Sequence, residues 1–502
     1  MPQDITQLLD CPLVIAVILA SGVGGTFQYG YSISVMTSPS AFIKDLMNRT
    51  CVQRYNVHLE QWQVSLFWSF TVAIYSFGGF LGSLLCGSFL SKYGRKKGML
   101  YNNFWAIFGA VLMILSQLTT SYEMIVVARL LYGINAGVSF VAHPMYVIEC
   151  TPKRLRGIVG VTIATCMSLG KLTGQVLGIR ELLGTEKNWP WLLGFNGFTA
   201  LAQLLTLPLL PDSPSFLLQE KGDRQGCEKA LKRLWGDGDH SGAMEEMMEE
   251  KAVLQNVRSH SVLELIQDRR VRWQFITILV AFTSVQFCGI GAVYFYSFEV
   301  FRAAGIPEVS LPYAAVGIGL CELFASFTCF LVIGKITRKV LMVRGYLIMA
   351  ATLILLTVTL SLQTLNSWLP YCSMVLIFIL VFFFACGPAG VTPSLPGHIF
   401  SPAFKTAAYT IAASNSWTFL FIVGIIFPLL VDNLGYCCFL IFLFFCIACG
   451  VFVKFNVPET NNLTIMEITA EFDRMHGKSG TACSKTSAHN NLNGIKTQET
   501  RF

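Results

Sequence analysis

Charge is scarce in this chain. Only 13% of its 502 residues are Asp, Glu, Lys or Arg, where a soluble chain carries roughly a quarter. That shortage excludes an ordinary water-facing surface. Period-two alternation is also missing and the aromatics are dispersed, which argues against a membrane β-barrel. There is no Walker A loop, no HExxH and no GxSxG, so no motif marks an enzyme. No Cys/His cluster has the spacing of a zinc site. The sixteen cysteines are scattered, mostly in apolar runs, and read as small apolar fillers. No cofactor is expected. The opening "MPQDITQLLD" lacks the basic region of a cleavable signal, so the first apolar run is expected to stay as a signal-anchor. The net charge of +7 does not point to nucleic acid, because the basic residues sit in short loops.

What the chain has in quantity is apolar length. The hydrophobic share is 54% and the mean hydropathy +0.58. Runs of about 20 residues recur from end to end, each long enough to cross ~30 Å of hydrocarbon. They predict an all-α polytopic membrane protein with twelve spans, at 12–33, 64–86, 98–118, 123–146, 158–180, 189–209, 273–297, 311–333, 342–362, 370–396, 407–431 and 436–456. The loops "SKYGRKKG", "TPKRLRG" and "GKITRKVLMVRG" are basic, while "QLTTSYE", "LQTLNSWLP" and "DNLGY" are poorer in such clusters. The positive-inside rule then puts both termini in the cytosol. The longest loop predicted to be outside carries the glycosylation sequon Asn48–Thr50.

Residues 212–270 interrupt the spans six and six. Within them "DRQGCEKALKRLWG" and "MEEMMEEKAVLQNV" read as short amphipathic helices. The organisation predicted is 1–211 as a six-helix half, 212–270 as a cytosolic helical linker, 271–457 as a second six-helix half and 458–502 as a cytosolic tail. The tail is rich in Ser, Thr, Asn, Gly and Lys, a composition of disorder. Its last residues, "TRF", have the Thr-x-apolar form that PDZ domains bind as an added strand. Three residues also fit a plain tail, and that reading is preferred. The two halves echo each other. Arg95 of "GRKK" and Arg338 of "TRKV" are 243 residues apart, and Pro211 of "PDSP" and Pro458 of "PETN" are 247 apart. Two similar offsets indicate a duplicated six-span unit, the mark of transporters whose substrate site lies near mid-membrane.

Further motifs fall in order: "ARLLYGINAGVS" at 128–139, "PMYVIECTPKRLRG" at 144–157, "PDSPSFLL" at 211–218, "QFCGIGAVYFYS" at 286–297, "GPAGVTP" at 387–393, "NSWTF" at 415–419 and "PET" at 458–460. On these the chain resembles the facilitative hexose transporters of the major facilitator superfamily, in the branch that includes the fructose carrier. The resemblance covers about residues 12–465. It implies facilitated uniport of hexose across the plasma membrane by alternating access, with the sugar and the bilayer as partners. Scarce acidic residues in the spans also favour uniport over proton coupling. Alternatives on the same scaffold are an organic anion such as urate, another non-sugar solute, or a sensor that does not transport.

The resemblance also assigns residues. Arg95, Glu149 and Arg156 match positions that the family uses as interhelical salt bridges on the cytosolic side. The same arginines also simply mark the inside face. The second half departs from the pattern. Gly334, Lys335, Ile336, Thr337, Arg338 and Lys339 replace the usual Glu-Arg-x-Gly-Arg-Arg, and the acid expected near the end of span ten is His398, followed by Lys405. Arg338 must find carbonyls, an acid in the charged insert or water. Much of the family's sugar-binding amide set is also gone. Gln286 and Trp417 remain, but Ala164, Gly291, Pro393, Ala385 and Leu420 stand where polar or aromatic side chains are usual, and Glu322 stands for an Asn.

Two charges lie deep in apolar runs. Lys171 is about 13 residues into span five and Glu322 about 11 into span eight, too deep to snorkel easily at ~1.5 Å per residue. A mid-span charge costs about 2.5–3.5 kcal/mol on insertion scales and usually faces a cavity or a partner. Lys171 shares a polar stripe with Ser168 and Gln175, while Gly170, Gly174 and Gly178 form a row for close helix approach. Three readings stay open. Lys171 and Glu322 pair across the cavity, or Lys171 binds an anionic substrate with His143 nearby, or Lys171 reaches water without a substrate role. His143 itself, beside Pro144, is expected to satisfy a freed carbonyl rather than relay protons. The candidate substrate residues are therefore Gln286, Trp417, Glu322, Lys171, Gln175 and His143.

Overall fold

The structure, a computed structural model, describes residues 8–9, 11–256, 260–333, 336–460 and 465–476. It is all helical among these residues. Among the described residues, ten segments are long and apolar enough to cross a membrane. One of them, Pro402–Asn456, is two helices, Pro402–Leu434 and Cys438–Asn456, joined by a short 3-10 turn. A further helix, Arg156–Leu177, carries Lys171 and lies against Thr26–Ser34 and Leu311–Ile333. Together they make twelve spans in chain order.

Span one is broken into Pro12–Val23 and Thr26–Ser34. Spans two to six are Gln61–Tyr93, Arg95–Leu118, Tyr122–Cys150, Arg156–Leu177 and Trp189–Thr206. Span seven runs in three pieces, Arg272–Phe287, Ile290–Phe295 and Ser297–Ala303. Spans eight and nine are Leu311–Ile333 and Arg338–Ser361. Span ten begins as Leu369–Cys386 and continues in short turns to Ile399. Spans eleven and twelve are the two helices that end Pro402–Asn456. Span seven was expected as one run. It breaks because Gly289 sits at φ 93°, a left-handed conformation open to glycine, and a Cβ there would fall 2.6 Å from the Phe442 ring.

The packing repeats. Spans two and four, three and four, three and six, and one and five pack together. So do their counterparts eight and ten, nine and ten, nine and twelve, and seven and eleven. The two sets meet along two seams, span two on eleven and span five on eight. The glycine row of span five faces span one: Cβ atoms at Gly170 and Gly174 would fall 2.1 Å from Phe27 O and 2.4 Å from Ser34 Oγ. Backbone contact this close leaves the other faces of span five for the seam.

Outside the spans, the loop bearing Asn48 is a helix, Ser40–Tyr55. Its Ile43, Leu46 and Met47 are buried in the core at helical spacing, which holds the helix down. Asn48 is exposed on it. In the insert, the two segments expected to be amphipathic form Arg224–Trp235, which is strongly so, and Ser241–Asn256, which is only weakly so, flanked by the shorter Pro214–Gln219 and Val262–Gln267. A last helix, Ile465–Met475, packs Ile468 and Phe472 into the cluster around Phe404. Residues 477–502, with "TRF", lie outside the described residues, as do Gly334 and Lys335.

Candidate substrate site and gates

The seam between spans five and eight brings the two deep charges together. Lys171 Nζ donates to Glu322 Oε1 at 2.7 Å, with the residues 7% and 8% exposed. The second Glu322 oxygen accepts the Tyr294 hydroxyl, and Lys171 Nζ stands 4.1 Å from the centre of the Tyr294 ring. Tyr294 belongs to Ile290–Phe295, the piece of span seven beyond the Gly289 break. The sequence reading missed it, because a tyrosine in "AVYFYS" looks like apolar filler. One turn from the pair, Ser168 and Ser326 hydroxyls lie 3.1 Å apart across the same seam. One turn the other way, Gln175 is 4% exposed and neither amide atom has a partner among the described residues. A Cβ on Gly319 would fall 2.2 Å from its Oε1, so the amide lies directly against span eight.

The other seam is apolar. The Trp417 ring lies over Gly79, where a Cβ would come within 2.4 Å of it. Tyr29 and Tyr75 meet it edge-on at 5.8 and 6.2 Å. Two positions that lack the family's polar groups pack on each other: Leu420 Cδ1 would be 3.1 Å from a Cβ on Gly291. Gln286 is half-buried at the end of the first piece of span seven. One turn before it, Thr283 accepts from Asn415 Nδ2 of span eleven at 3.1 Å. His143 does not join the charge pair. It is fully buried at the break in span one, with Nδ1 3.0 Å from Thr26 Oγ1 and Nε2 unpartnered. The freed carbonyl expected as its partner is replaced by the Thr26 hydroxyl, which in turn reaches Ile163 O at 3.3 Å.

One buried cation was not anticipated. Arg129 of span four is fully buried, with no carboxylate as partner among the described residues. It donates to Ser32 O at 2.7 Å and Val72 O at 3.0 Å and lies 4.6 Å from the Tyr75 ring centre. Its signal was present in "ARLLYG", but nothing in the sequence tells a carbonyl-bound arginine from a paired one.

Contacts between the two sets of spans run from the Ser168–Ser326 level to the face opposite the basic loops. There Arg180 Nη2 donates to Glu308 O at 3.1 Å, and Lys44 lies 3.5 Å from Glu299. The Tyr313 hydroxyl donates to Glu181 at 2.6 Å, which holds that carboxyl below its ordinary range. Ala164 is exposed and a Cβ on Gly160 would meet nothing within 4 Å.

At the basic end of the first half, Arg95 Nε and Nη2 each lie 3.0 Å from Glu149 Oε1. Arg95 Nη1 also reaches Glu220 of the insert at 2.5 Å, and Ser213 donates to the other Glu149 oxygen. Arg156 departs from the expected ion pair: its Nε donates to Thr151 O at 3.4 Å. Ser213 and Glu220, carried in by the insert, complete the cluster instead. Nearby, Lys153 lies 2.5 and 2.9 Å from Glu246 and Glu250, whose hydrogen bonds raise its pKa. In the second half Arg338 forms no ion pair among the described residues, and its buried Nε has no partner. His398 donates from its ring to Ser394 O at 2.6 Å, and Lys405 is exposed.

With this geometry in place, comparisons place the chain among known proteins. The model of the family "Sugar (and other) transporter" matches residues 17–472. Human solute carrier family 2, facilitated glucose transporter member 11, is 38% identical over 94% of this chain and 96% of its own length. Mouse member 9 is 39% identical over 94% and 87%, and bovine member 5 is 37% identical over 93% and 93%. In structure, the inward open conformation of the xylose transporter XylE from E. coli covers 91% of the chain and 99% of its own, with TM-score 0.75 at 21% identity. That likeness concerns the fold.

Proposed function

The chain belongs to the sugar transporter family, and from that membership we propose that it carries a hexose, fructose or glucose, down its gradient by alternating access. Relatives named as facilitated glucose transporters match it over nearly its whole length. The observation that carries the reading on this chain is the polar cluster of Lys171, Glu322 and Tyr294, buried at mid-span on the seam between the two sets of helices. A moving substrate site belongs where the two halves meet. The six-span units 1–211 and 271–457 are the moving bodies, with 212–270 as linker and 458–502 as tail. The basic loops face the cytosol and the membrane is the plasma membrane. Asn48, exposed on the opposite side, is available to glycan.

Substrate enters beside Gln286, Thr283 and Asn415 and is bounded by the Lys171–Glu322 pair and Trp417. The Arg95–Glu149–Glu220 cluster latches the cytosolic end of the first half. Reading Lys171 as a lone anion site is disfavoured, because Glu322 already neutralises it.

Counterflow in proteoliposomes with labelled fructose, glucose and urate tests the function. Accumulation of a hexose and not of urate is the expected result. Urate alone would install the anion reading, and no counterflow at all would leave a sensor. The pair has its own test. Lys171→Met and Glu322→Gln should each cut uptake at least about tenfold, since leaving one buried charge unpaired costs about 3–5 kcal/mol. The double variant should recover part of the loss, and strictly additive losses would show that the two charges are not coupled.

A further inference from the structure

We propose that Tyr294 makes this site selective for uncharged solutes, by keeping the Lys171–Glu322 pair closed on itself. The inference rests on the transport reading above. It starts from what each charged group still has to offer. Both Glu322 oxygens are taken, Oε1 by Lys171 Nζ at 2.7 Å and Oε2 by the Tyr294 hydroxyl. Lys171 is held from a second side by the Tyr294 ring, 4.1 Å from its centre. One aromatic side chain therefore serves both charges, with its hydroxyl on the anion and its face on the cation.

The closed cluster is net neutral. An anionic solute that approaches Lys171 meets the Glu322 carboxylate, and a cationic one that approaches Glu322 meets the ammonium. Each finds the charge it seeks already paired and meets a like charge beside it, which is how a site rejects a competitor it would otherwise accommodate. A neutral polyol needs no free ion. The amide of Gln175, one turn along span five and without a partner among the described residues, supplies both donors and an acceptor for hydroxyl groups. The cluster draws on three spans, five, seven and eight, and Lys171 and Glu322 stand on opposite sides of the seam. The filter is therefore assembled by the approach of the two halves and not by any one helix. Because Tyr294 lies beyond the Gly289 break, the placement of that short helix sets how tightly the filter closes.

Binding of three probes to the purified full chain tests this: glucose, its acidic analogue glucuronate and the cationic amino sugar glucosamine. The readout is quenching of the chain's tryptophan fluorescence. For the wild type, both charged sugars should bind at least about tenfold more weakly than glucose. Tyr294→Phe keeps the ring and uncovers one Glu322 oxygen, so the penalty on glucosamine should shrink severalfold while that on glucuronate stays. Glu322→Gln uncovers Lys171, so the penalty on glucuronate should shrink about tenfold and that on glucosamine should stay. Equal penalties in wild type and both variants would overturn the inference, as would a wild type that binds either charged sugar as well as glucose.

Should the wild type bind none of the three, the hexose reading fails, and thermal unfolding then decides the role of Tyr294 separately. Tyr294→Phe should lower the midpoint in the wild-type background and leave Lys171→Met/Glu322→Gln unchanged. The same shift in both backgrounds would show that Tyr294 does not act through the pair.

Discussion

The two halves repeat one packing plan but fasten their basic ends differently. In the first half Arg95 grips Glu149 of span four and Glu220 of the insert, and Ser213 covers the remaining Glu149 oxygen. In the second half the corresponding Arg338 forms no ion pair among the described residues, and His398 is turned to a backbone carbonyl. Stacked rings and apolar contacts add to the fastening there, beside polar contacts such as His260 Nδ1 to Glu264 at 2.8 Å and Gln274 Nε2 to Thr469 at 3.5 Å. His260 stacks on Phe404 at 4.3 Å, His476 on Trp273 at 3.8 Å, and Ile468 and Phe472 bury beside them. The fold therefore tolerates either solution. What differs is the consequence for motion. A charge cluster that spans several helices resists separation until its partners are rehydrated, whereas stacked rings slide at lower cost. The first half should be the stiffer body at its basic end and the second the more yielding.

Substitutions can break or sharpen that contrast. The largest effect should come from Glu149→Gln, which leaves Arg95 with Glu220 alone. The side chains of the pair are 11% and 17% exposed, so we expect a loss of about 2–3 kcal/mol, below the full cost of a wholly buried pair. Thermal unfolding in detergent should show it, together with an uptake decrease of about tenfold. A midpoint shift smaller than that of any second-half variant would reverse the comparison. Next comes His476→Ala, which removes the stack on Trp273. A loss of about 0.5–1.5 kcal/mol is expected, visible as faster proteolysis of the C-terminal helix with uptake nearly intact.

His398→Glu then rebuilds an acid in the second half. A Cβ on the neighbouring Gly397 would lie 3.7 Å from Lys405 Nζ, so a carboxylate is within reach of that cation. An exposed pair of this kind adds under ~1 kcal/mol. Its signature should be a raised unfolding midpoint that disappears in high salt, and a salt-independent rise would rule out the ion pair. Arg338→Met should do least, within about 0.5 kcal/mol, since no ion pair is broken. A loss as large as that of Glu149→Gln would reveal a partner for Arg338 outside the described residues.

Particular residues show how far the sequence could be read. The spans were legible because a bilayer fixes the length of every apolar run, so twelve segments emerge without any knowledge of packing. Lys171 and Glu322 were legible for the same reason, since a charge at mid-span needs an explanation wherever it occurs. Their pairing was one of three readings until spans five and eight were seen in contact. Tyr294 was illegible because a tyrosine among Val293, Phe295 and Tyr296 gives no sign of where its hydroxyl points. Arg156 is a related case. Its motif fits a salt bridge, but Ser213 and Glu220 arrive from far along the chain and occupy the place around Arg95 and Glu149. The helix Ser40–Tyr55 was hidden in an expected loop because its mean hydropathy is low.

By itself, the sequence determined that this is a membrane protein of repeated apolar helices, which loops are basic, and that two charges of opposite sign lie at matching depth. These follow from properties of single segments, namely length, polarity and order. Which charges meet, which glycines break a helix, and which hydroxyl completes the cluster were decided only by the tertiary structure. Each depends on the relative placement of helices brought together from distant parts of the chain, and a pair such as Lys171 and Glu322, 151 residues apart, carries no local mark of its partner.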